Sequence, residues 1–248
     1  GGATVTNYEY STDDGSTWKV FSPVTTSTPL VITVRSDSTD ALVNGTTYQV
    51  RVRAVNSAGG GVASAGMAGV PFTVAGAPTI NSVTGSDERL TVAFTAPVSN
   101  GGATITNYQY STDNGSTWKA FSPADTRTPL VITKRSDANK NLVKGKKYIV
   151  RVRAVNSAGG GVASAAMSGK PFTVAGAPTI NSVTAAFGLV LVAFTKPVSN
   201  GGLKIKNYEY STDNGSTWKA FTPADTRTPL VITKRSDAKK NLVKGKKY

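Results

Sequence analysis

The stretch LVKGKKYIVRVRAVNSAGGGVAS, residues 142–164, decides the fold of this chain. It begins with Leu-x-x-Gly-x-x-Tyr and continues as a run in which alternate residues are apolar. Side chains along a β-strand point to opposite faces in turn, so one alternate set is predicted to face a core: Tyr148, Val150, Val152 and Ala154. The intervening residues form the other face: Ile149, Arg151, Arg153 and Val155. The Gly-rich run that follows predicts a turn.

The sequence repeats itself every 100 residues. GGATVTNYEY at residue 1 returns as GGATITNYQY at 101 and GGLKIKNYEY at 201, and 58 of 72 positions are identical between 77–148 and 177–248. This period is longer than a solenoid or propeller unit, about 20–50 residues, and matches one small domain. We therefore predict a partial first copy at 1–76, a complete middle copy at 77–176 and a partial third copy at 177–248.

Within each copy, short runs rich in Val, Ile, Thr, Tyr and Phe are separated by turn residues about every ten positions, which predicts an all-β sandwich. The predicted strands of the middle copy are 79–83, 90–95, 105–111, 117–121, 130–134 and 147–156, with a final edge strand within 163–176.

These stretches resemble one known family. Residues 142–164 closely resemble the end of a fibronectin type III domain, and AFTAPVSNGGATITNYQY at 93–110 resembles its second strand, proline-containing loop and third strand. The resemblance covers the middle copy and most of the other two. It implies tandem immunoglobulin-like β-sandwiches with Greek-key topology and seven strands per complete repeat. The sequence departs from the family in Phe94, where Trp is usual, and in the insert RSDANKN at 135–141.

The resemblance also implies a structural role for one tyrosine in each copy, the tyrosine corner, with a buried ring and a hydroxyl bonded to upstream backbone. These residues are Tyr48, Tyr148 and Tyr248. In this register the first copy begins before its third strand and the third copy stops as its sixth begins. We expect a segment of a longer array. The alternative is strand exchange between chains, which the duplicated middle strands disfavour.

A second motif recurs with the repeat, as STDDGSTW at 11–18 and STDNGSTW at 111–118 and 211–218. It resembles the Asp-box of sialidases and other β-propeller proteins. Asn114 and Gly115 favour a tight hairpin because both tolerate positive φ, and Asp113 and Ser116 can bond to nearby backbone. The motif therefore predicts a turn. One tryptophan in each copy is predicted to cover its own sheet: Trp18, Trp118 and Trp218.

The composition disfavours catalysis. The chain has no Cys and no His, and its 14 acidic residues are spread over turns. Thiol chemistry, a histidine base and the facing carboxylates of a glycosidase are therefore disfavoured. We predict a protein that is not an enzyme, with no catalytic, metal or cofactor site, and the sequence contains no apolar run long enough to span a membrane.

Charge distinguishes the copies. The first has 4 basic and 5 acidic residues, the middle 12 and 5, and the third 12 and 4. The surplus gathers around the insert and the next turn, which predicts either a polyanion-binding edge or a soluble surface whose lysines protect sheet edges. The candidate polyanion-binding residues are Lys134, Arg135, Lys140, Lys144, Lys146, Lys147, Lys234, Arg235, Lys239, Lys240, Lys244, Lys246 and Lys247.

These features predict a structural or adhesive protein of bacterial type, extracellular or on a cell or virion surface, that forms a stalk, fibre or lattice. One alternative is a binding module for anionic surface polymers or glycans, acting through the Lys-rich edges. A third is a non-catalytic spacer of a secreted enzyme. The expected partners are neighbouring repeats, other copies of the chain and anionic surface glycans. Nucleic acid is disfavoured because no exposed stacking aromatics accompany the lysines.

Overall fold

A computed structural model describes residues 2–237, 240–243 and 245–247. All regular elements in these ranges are β-strands. The first copy contains β1 (Asn7–Ser11), β2 (Lys19–Val20), β3 (Tyr48–Asn56), β4 (Gly59–Gly60) and β5 (Met67–Gly69). The middle copy contains β6 (Thr79–Ser86), β7 (Arg89–Thr95), β8 (Asn107–Ser111), β9 (Lys119–Ala120), β10 (Leu130–Ile132), β11 (Tyr148–Asn156), β12 (Gly159–Gly160) and β13 (Met167–Gly169). The third contains β14 (Thr179–Ala186), β15 (Leu189–Thr195), β16 (Glu209–Tyr210), β17 (Lys219–Ala220) and β18 (Leu230–Ile232).

The strands pair into separate sheets within each copy. In the first copy a five-stranded sheet has the order β2-β1-β3-β4, with β5 also paired to β3. The middle copy repeats this sheet as β12-β11-β8-β9 with β13 on β11, and adds a three-stranded sheet, β10-β7-β6. The third copy has a three-stranded sheet, β14-β15-β18, and a two-stranded one, β16-β17.

Strand β11 has the predicted alternation. Tyr148, Val150, Val152 and Ala154 are buried, and Val150 and Val152 have no exposed surface at all. Ile149, Arg151, Arg153 and Val155 are half-buried on the other face. The register of β11 against β8 sets Ala154 opposite Tyr108 and Arg153 opposite Gln109. The prediction that Tyr148, Val150, Val152 and Ala154 face the core is confirmed.

The two sheets of the middle copy meet through aromatic side chains. The ring of Phe94 on β7 contacts that of Tyr108 on β8 edge-to-face, with centroids 4.6 Å apart, a favourable arrangement of two aromatic rings. In the third copy Phe194 and Tyr208 repeat this contact at 4.7 Å. The fold is thus an all-β immunoglobulin-like sandwich, and phenylalanine fills the position where tryptophan is usual in the resembled family.

The last strand is split into two short pieces. Gly159–Gly160 pairs with the end of β11, whereas Met167–Gly169, inside the predicted range 163–176, pairs with its start. Between them the Ser164 hydroxyl replaces a ladder carbonyl and accepts a hydrogen bond from the Val152 N–H at 3.0 Å. The side chain of Ser164 therefore satisfies backbone that a continuous edge strand would have paired.

Packing divides the chain into two compact units. The first comprises Gly1–Asn81, Ala93–Thr128 and Arg151–Ala166, and the second comprises Ser82–Val92, Pro129–Val150 and Met167–Tyr248. The first unit contains the five-stranded sheet of the first copy and the paired parts of β8, β9 and β11. The second contains the sheets of the third copy. The domain boundaries at 76 and 176 stay a prediction from the sequence repeat.

Candidate functional site

The Asp-box motif forms a closed turn. Asn114 and Gly115 have φ of 63° and 96°, as predicted for a turn tip. The Asp113 carboxylate accepts hydrogen bonds from the Ser111 hydroxyl at 2.7 Å, the Thr117 N–H at 3.0 Å and the Thr117 hydroxyl at 2.6 Å. Burial raises the pKa of Asp113, but these hydrogen bonds lower it overall. The carboxylate is therefore held as a structural acceptor inside the turn.

The same network recurs in the other two copies. Asp13 accepts from the Ser11 hydroxyl and from Thr17, and Asp213 accepts from the Ser211 hydroxyl and from Thr217. Since all partners lie within four residues of the aspartate in the sequence, the turn is a local structure that each copy builds for itself.

The tryptophan after each turn has a different environment in the third copy. The Arg153 guanidinium lies 4.3 Å from the Trp118 ring centroid, and Arg53 lies 4.2 Å from that of Trp18. Both are cation–π distances. Trp218 is 62% exposed. Two of the three predicted sheet-covering tryptophans therefore pack against an arginine of their own sheet.

The tyrosine corners have the geometry that the family resemblance implies. The buried Tyr148 accepts a hydrogen bond at its hydroxyl from the Val143 N–H at 2.9 Å. Tyr48 accepts one from Val43 at 3.0 Å. Tyr248 lies outside the described residues.

The candidate polyanion-binding residues of the middle copy occupy a closed hairpin and the following turn. Lys134 pairs through its backbone with Asn141, and the Arg135 N–H donates to the Lys140 carbonyl. Two cations already have anionic partners: Arg135 forms an ion pair with Asp137, and Lys144 Nζ lies 3.2 Å from Glu88 Oε1. Lys146 Nζ lies 5.5 Å from the Tyr148 ring centroid. Four lysines have exposed side chains: Lys140, Lys144, Lys146 and Lys147.

The third copy differs in its carboxylates. Arg235 again pairs with Asp237, and Lys234 pairs through its backbone with Asn241. Phe187 and Gly188 stand where the middle copy has Asp87 and Glu88. Four of the described candidate lysines are exposed: Lys234, Lys240, Lys246 and Lys247. Lys239 and Lys244 lie outside the described residues.

The acidic side chains of the described residues do not form a metal-binding cluster: no group of three or more is placed to hold a metal ion. An open pocket of about 210 Å³ lies between the loop at Ala186–Leu189 and residues 242–246, and its described lining is apolar apart from Lys246. No helix in the described part of the chain is long and apolar enough to cross a membrane.

The joint between consecutive copies is a site that the sequence did not predict. In the first unit the linker segment at 71–76 is bonded to the turn of the next copy: the Thr73 N–H donates to the Gly101 carbonyl at 2.7 Å and the Gly76 N–H to that of Ser99 at 2.9 Å. On its other side the Gly45 N–H donates to the Pro71 carbonyl at 2.9 Å.

A buried asparagine completes this first joint. The Asn156 side-chain amide donates to the Thr73 carbonyl and the Asn100 carbonyl, both at 2.8 Å. The Val162 N–H donates to the Ala75 carbonyl at 3.0 Å. Linker backbone groups are thus paired with the neighbouring copy.

The second unit contains the same joint one repeat later. Thr173 donates to Gly201 at 2.8 Å, Gly176 to Ser199 at 2.9 Å and Gly145 to Pro171 at 2.8 Å. The linker and first strand, PFTVAGAPTINSVT, are identical at 71–84 and 171–184. The identical linker sequence therefore makes the same three backbone hydrogen bonds in both joints.

Paired glycines make the close approach possible. A Cβ atom at Gly101 would lie 2.2 Å from the Thr73 carbonyl oxygen, and one at Gly102 would lie 2.3 Å from the Gly45 nitrogen. Both glycines have positive φ, at 75° and 85°, a region that residues with a Cβ rarely adopt. Gly201 and Gly202 have the same constraints in the second joint. The recurring Asn-Gly-Gly was the sequence signal for this site.

Comparison with known proteins agrees with this architecture. The model of the fibronectin type III domain family matches residues 76–170. A model of the BNR/Asp-box repeat matches residues 209–220, the third-copy turn described above.

Solved structures with similarity to the chain include two with fibronectin type III domains. The crystal structure of the chicken CNTN1 FN1–FN3 domains is 17% identical with a TM-score of 0.32, covering 93% of this chain and 78% of that one. The solution structure of a human fourth FNIII domain is 22% identical with a TM-score of 0.32, covering 43% of this chain and 86% of that one. The flanking copies repeat the sequence that the family model matches, so the chain contains tandem fibronectin type III-like repeats.

Proposed function

We propose that the chain is a structural or adhesive element of an extracellular or cell-surface protein, in which tandem sandwiches serve as a stalk, fibre or lattice. The observation that supports this role is the repeated joint. A Gly/Ser-type linker leaves neighbouring domains free to reorient, whereas here the linker backbone at 73–76 and 173–176 is bonded to the next copy. Such a joint transmits load and holds adjacent repeats in one orientation.

The proposed partners follow from this role. Neighbouring repeats are the first, since each joint uses the linker of one copy and the Asn-Gly-Gly turn of the next. Other copies of the same chain are the second, because a fibre or lattice requires contacts between chains. Placement outside the cell or on a virion surface is part of the same proposal.

Hydrogen exchange at the linker tests the proposal. In the unmodified protein the Thr73 and Gly76 amides should be protected as strongly as strand amides, because both donate to the next copy. Gly101→Ala should raise their exchange rates about tenfold or more, since about 1.4 kcal/mol of lost joint stability suffices for a factor of ten.

A matched control separates the joint from backbone strain. Gly188 has φ +77° and no atom within 4 Å of its Cβ position, whereas Gly101 has φ +75° and contacts the linker. Gly188→Ala therefore carries the same φ cost without a clash, and it should leave the exchange of Thr73 and Gly76 unchanged. If both linker amides exchange at unprotected rates in the unmodified protein, the linker is a flexible tether and the stalk proposal is wrong.

A second candidate function is binding of anionic surface polymers through the Lys-rich edges. What favours it is the exposure of Lys146, Lys147, Lys246 and Lys247, where the first copy has Thr46 and Thr47. Retention on a heparin column should fall with salt. It should also fall when these four lysines are replaced by threonine, the first-copy residue. A protein that is not retained at low salt would exclude this candidate.

A further inference from the structure

The outer face of the five-stranded sheet carries two arginines in each of the first two copies. In the first copy these are Arg51 and Arg53 on β3, and in the middle copy Arg151 and Arg153 on β11. Positions two apart on a strand lie on the same face. Each pair of guanidinium groups therefore lies side by side on a surface turned away from the core.

In the first copy both arginines bind carboxylates. Arg51 Nε lies 2.7 Å from Asp14 Oδ1, and Arg53 Nε lies 2.5 Å from Glu9 Oε2. The two positive charges are thus matched by two negative charges on the same face.

In the middle copy the hydrogen bonds are kept and the negative charges are lost. Arg151 Nε donates to Asn114 Oδ1 at 2.9 Å, and Arg153 Nε donates to Gln109 Oε1 at 2.7 Å. Asn114 and Gln109 stand where the first copy has Asp14 and Glu9. No carboxylate of the described chain lies within ion-pair distance of either arginine.

The geometry holds Arg153 in place. Its guanidinium lies 4.3 Å from the Trp118 ring centroid, and a Cβ on Gly160 would lie 2.7 Å from its Cζ atom. The Gly159–Gly160 hairpin therefore passes directly against the guanidinium. Arg151 is held in turn by the Ser164 carbonyl, which accepts from Nη1 at 2.8 Å.

Partial burial without a carboxylate makes this a favourable place for an anion. Removing a charge from water is unfavourable unless an opposite charge compensates for it, and burial lowers the pKa of Arg153 accordingly. Hydrogen bonds between guanidinium and carboxylate are also stronger than those to a neutral amide. The first copy supplies its own carboxylates, so the same arginines in the middle copy are suited to carboxylates from outside.

We infer that the outer sheet face of the middle copy binds a carboxylate-bearing polysaccharide, with Arg151 and Arg153 taking the carboxylates and Trp118 offering an apolar surface to a sugar ring. Trp118 is only half-buried, so part of its indole remains open beside the two cations. A uronate polymer combines both features, because its rings have apolar C–H faces and regularly spaced carboxylates. This site is distinct from the Lys-rich edges and does not depend on the stalk function.

The test exchanges the residues that distinguish the two copies. Calorimetric titration with polygalacturonate should show binding to the full chain. The double variant Gln109→Glu, Asn114→Asp should weaken it about tenfold or more, because internal carboxylates then occupy both arginines. The first copy already folds with these side chains, so this variant is expected to keep its structure. The reverse variant, Glu9→Gln with Asp14→Asn, should add a second site of similar affinity.

Control ligands and variants make the result decisive. Lys146→Thr with Lys147→Thr should leave polygalacturonate affinity within about twofold, because these lysines are not part of the sheet face. Equal loss of binding in this variant and in the Gln109→Glu, Asn114→Asp variant would overturn the assignment to the arginine face. Equal binding of poly-L-glutamate would overturn the sugar assignment, and unchanged binding after both carboxylates are introduced would overturn the proposal itself.

Discussion

The middle and third copies share most of their sequence, yet their aromatic residues have different surroundings. Tyr108 is 1% exposed, whereas its counterpart Tyr208 is only half-buried. In the middle copy β8 pairs with β11 over five residues. Among the described residues, the third-copy counterpart of β8 is the two-residue strand Glu209–Tyr210, which pairs with β17. The Asp-box turn is the same in both copies, so turn geometry is local, while strand length and burial depend on the partner strand.

The largest expected effect concerns the central tyrosine. Tyr108→Ala should destabilise the middle copy by about 3–5 kcal/mol, as removal of a fully buried aromatic residue does. Tyr208→Ala should cost clearly less, because Tyr208 is half-buried. Hydrogen exchange resolved by peptide during urea unfolding measures the two copies separately.

Phe94 and Phe194 provide the control for this comparison. Both are buried, with exposures of 3% and 5%, and both contact the tyrosine of their own copy. Replacement of either phenylalanine by alanine should therefore cost similar free energies. Equal losses from Tyr108→Ala and Tyr208→Ala would show that β11 does not account for the difference.

The second effect concerns the Asp-box turn, where substitutions in the middle and third copies should both lower stability. Asp113→Ala removes the acceptor of three hydrogen bonds and should destabilise the middle copy by about 1–2 kcal/mol. Asp213→Ala should have an effect of the same direction in the third copy, because its network is also local. Amide exchange at Thr117 and Thr217 reports each turn.

The pH dependence of the turn has a defined sign. Hydrogen bonds from the Thr217 hydroxyl, the Thr217 N–H and the Ser211 hydroxyl lower the pKa of Asp213 to about 2. Because the folded pKa is below the unfolded value of about 4, ionised Asp213 stabilises the turn above pH about 4, and this contribution is lost as pH falls toward 2. Carboxyl chemical shifts followed by NMR should give the low pKa, and Asp213→Asn should remove this pH dependence.

Local contacts could be predicted from the sequence, whereas contacts with distant segments could not. The turn at Asp113 involves partners within four residues, so residue type and spacing were sufficient. The hydroxyl contact of Tyr148 was implied by the family resemblance. The contacts of Gly101 and Gly102 lie in the preceding copy, so the recurring Asn-Gly-Gly indicates a turn but does not identify its partner. Gln109 stands where the first copy has Glu9. Only the strand register, which sets Gln109 opposite Arg153, shows that this difference takes a carboxylate away from the arginine. Likewise, the ion pair of Lys144 with Glu88 could not be predicted without the folded structure, because the two residues are far apart in the sequence.

A smaller effect concerns one hydroxyl group. The Tyr208 hydroxyl is buried without a hydrogen-bond partner among the described residues. An unsatisfied buried polar group is unfavourable by about 1–3 kcal/mol, so Tyr208→Phe should stabilise the third copy by about 1 kcal/mol. Tyr108→Phe should not stabilise the middle copy. A stabilising effect of both substitutions, measured by urea unfolding, would contradict the difference between the copies.

The smallest effect concerns the tryptophans. Trp218 is 62% exposed, so Trp218→Ala should change the stability of the third copy by no more than about 0.5 kcal/mol, as is usual for surface positions. Trp118→Ala should cost the middle copy about 0.5–2 kcal/mol, because it removes the cation–π contact with Arg153 from a half-buried site. Acrylamide quenching of variants that keep a single tryptophan provides the structural readout: Trp218 should be quenched more strongly than Trp118. Equal quenching would mean that Arg153 does not shield Trp118. It would also contradict the fixed position of Arg153 on which the proposed carboxylate site depends.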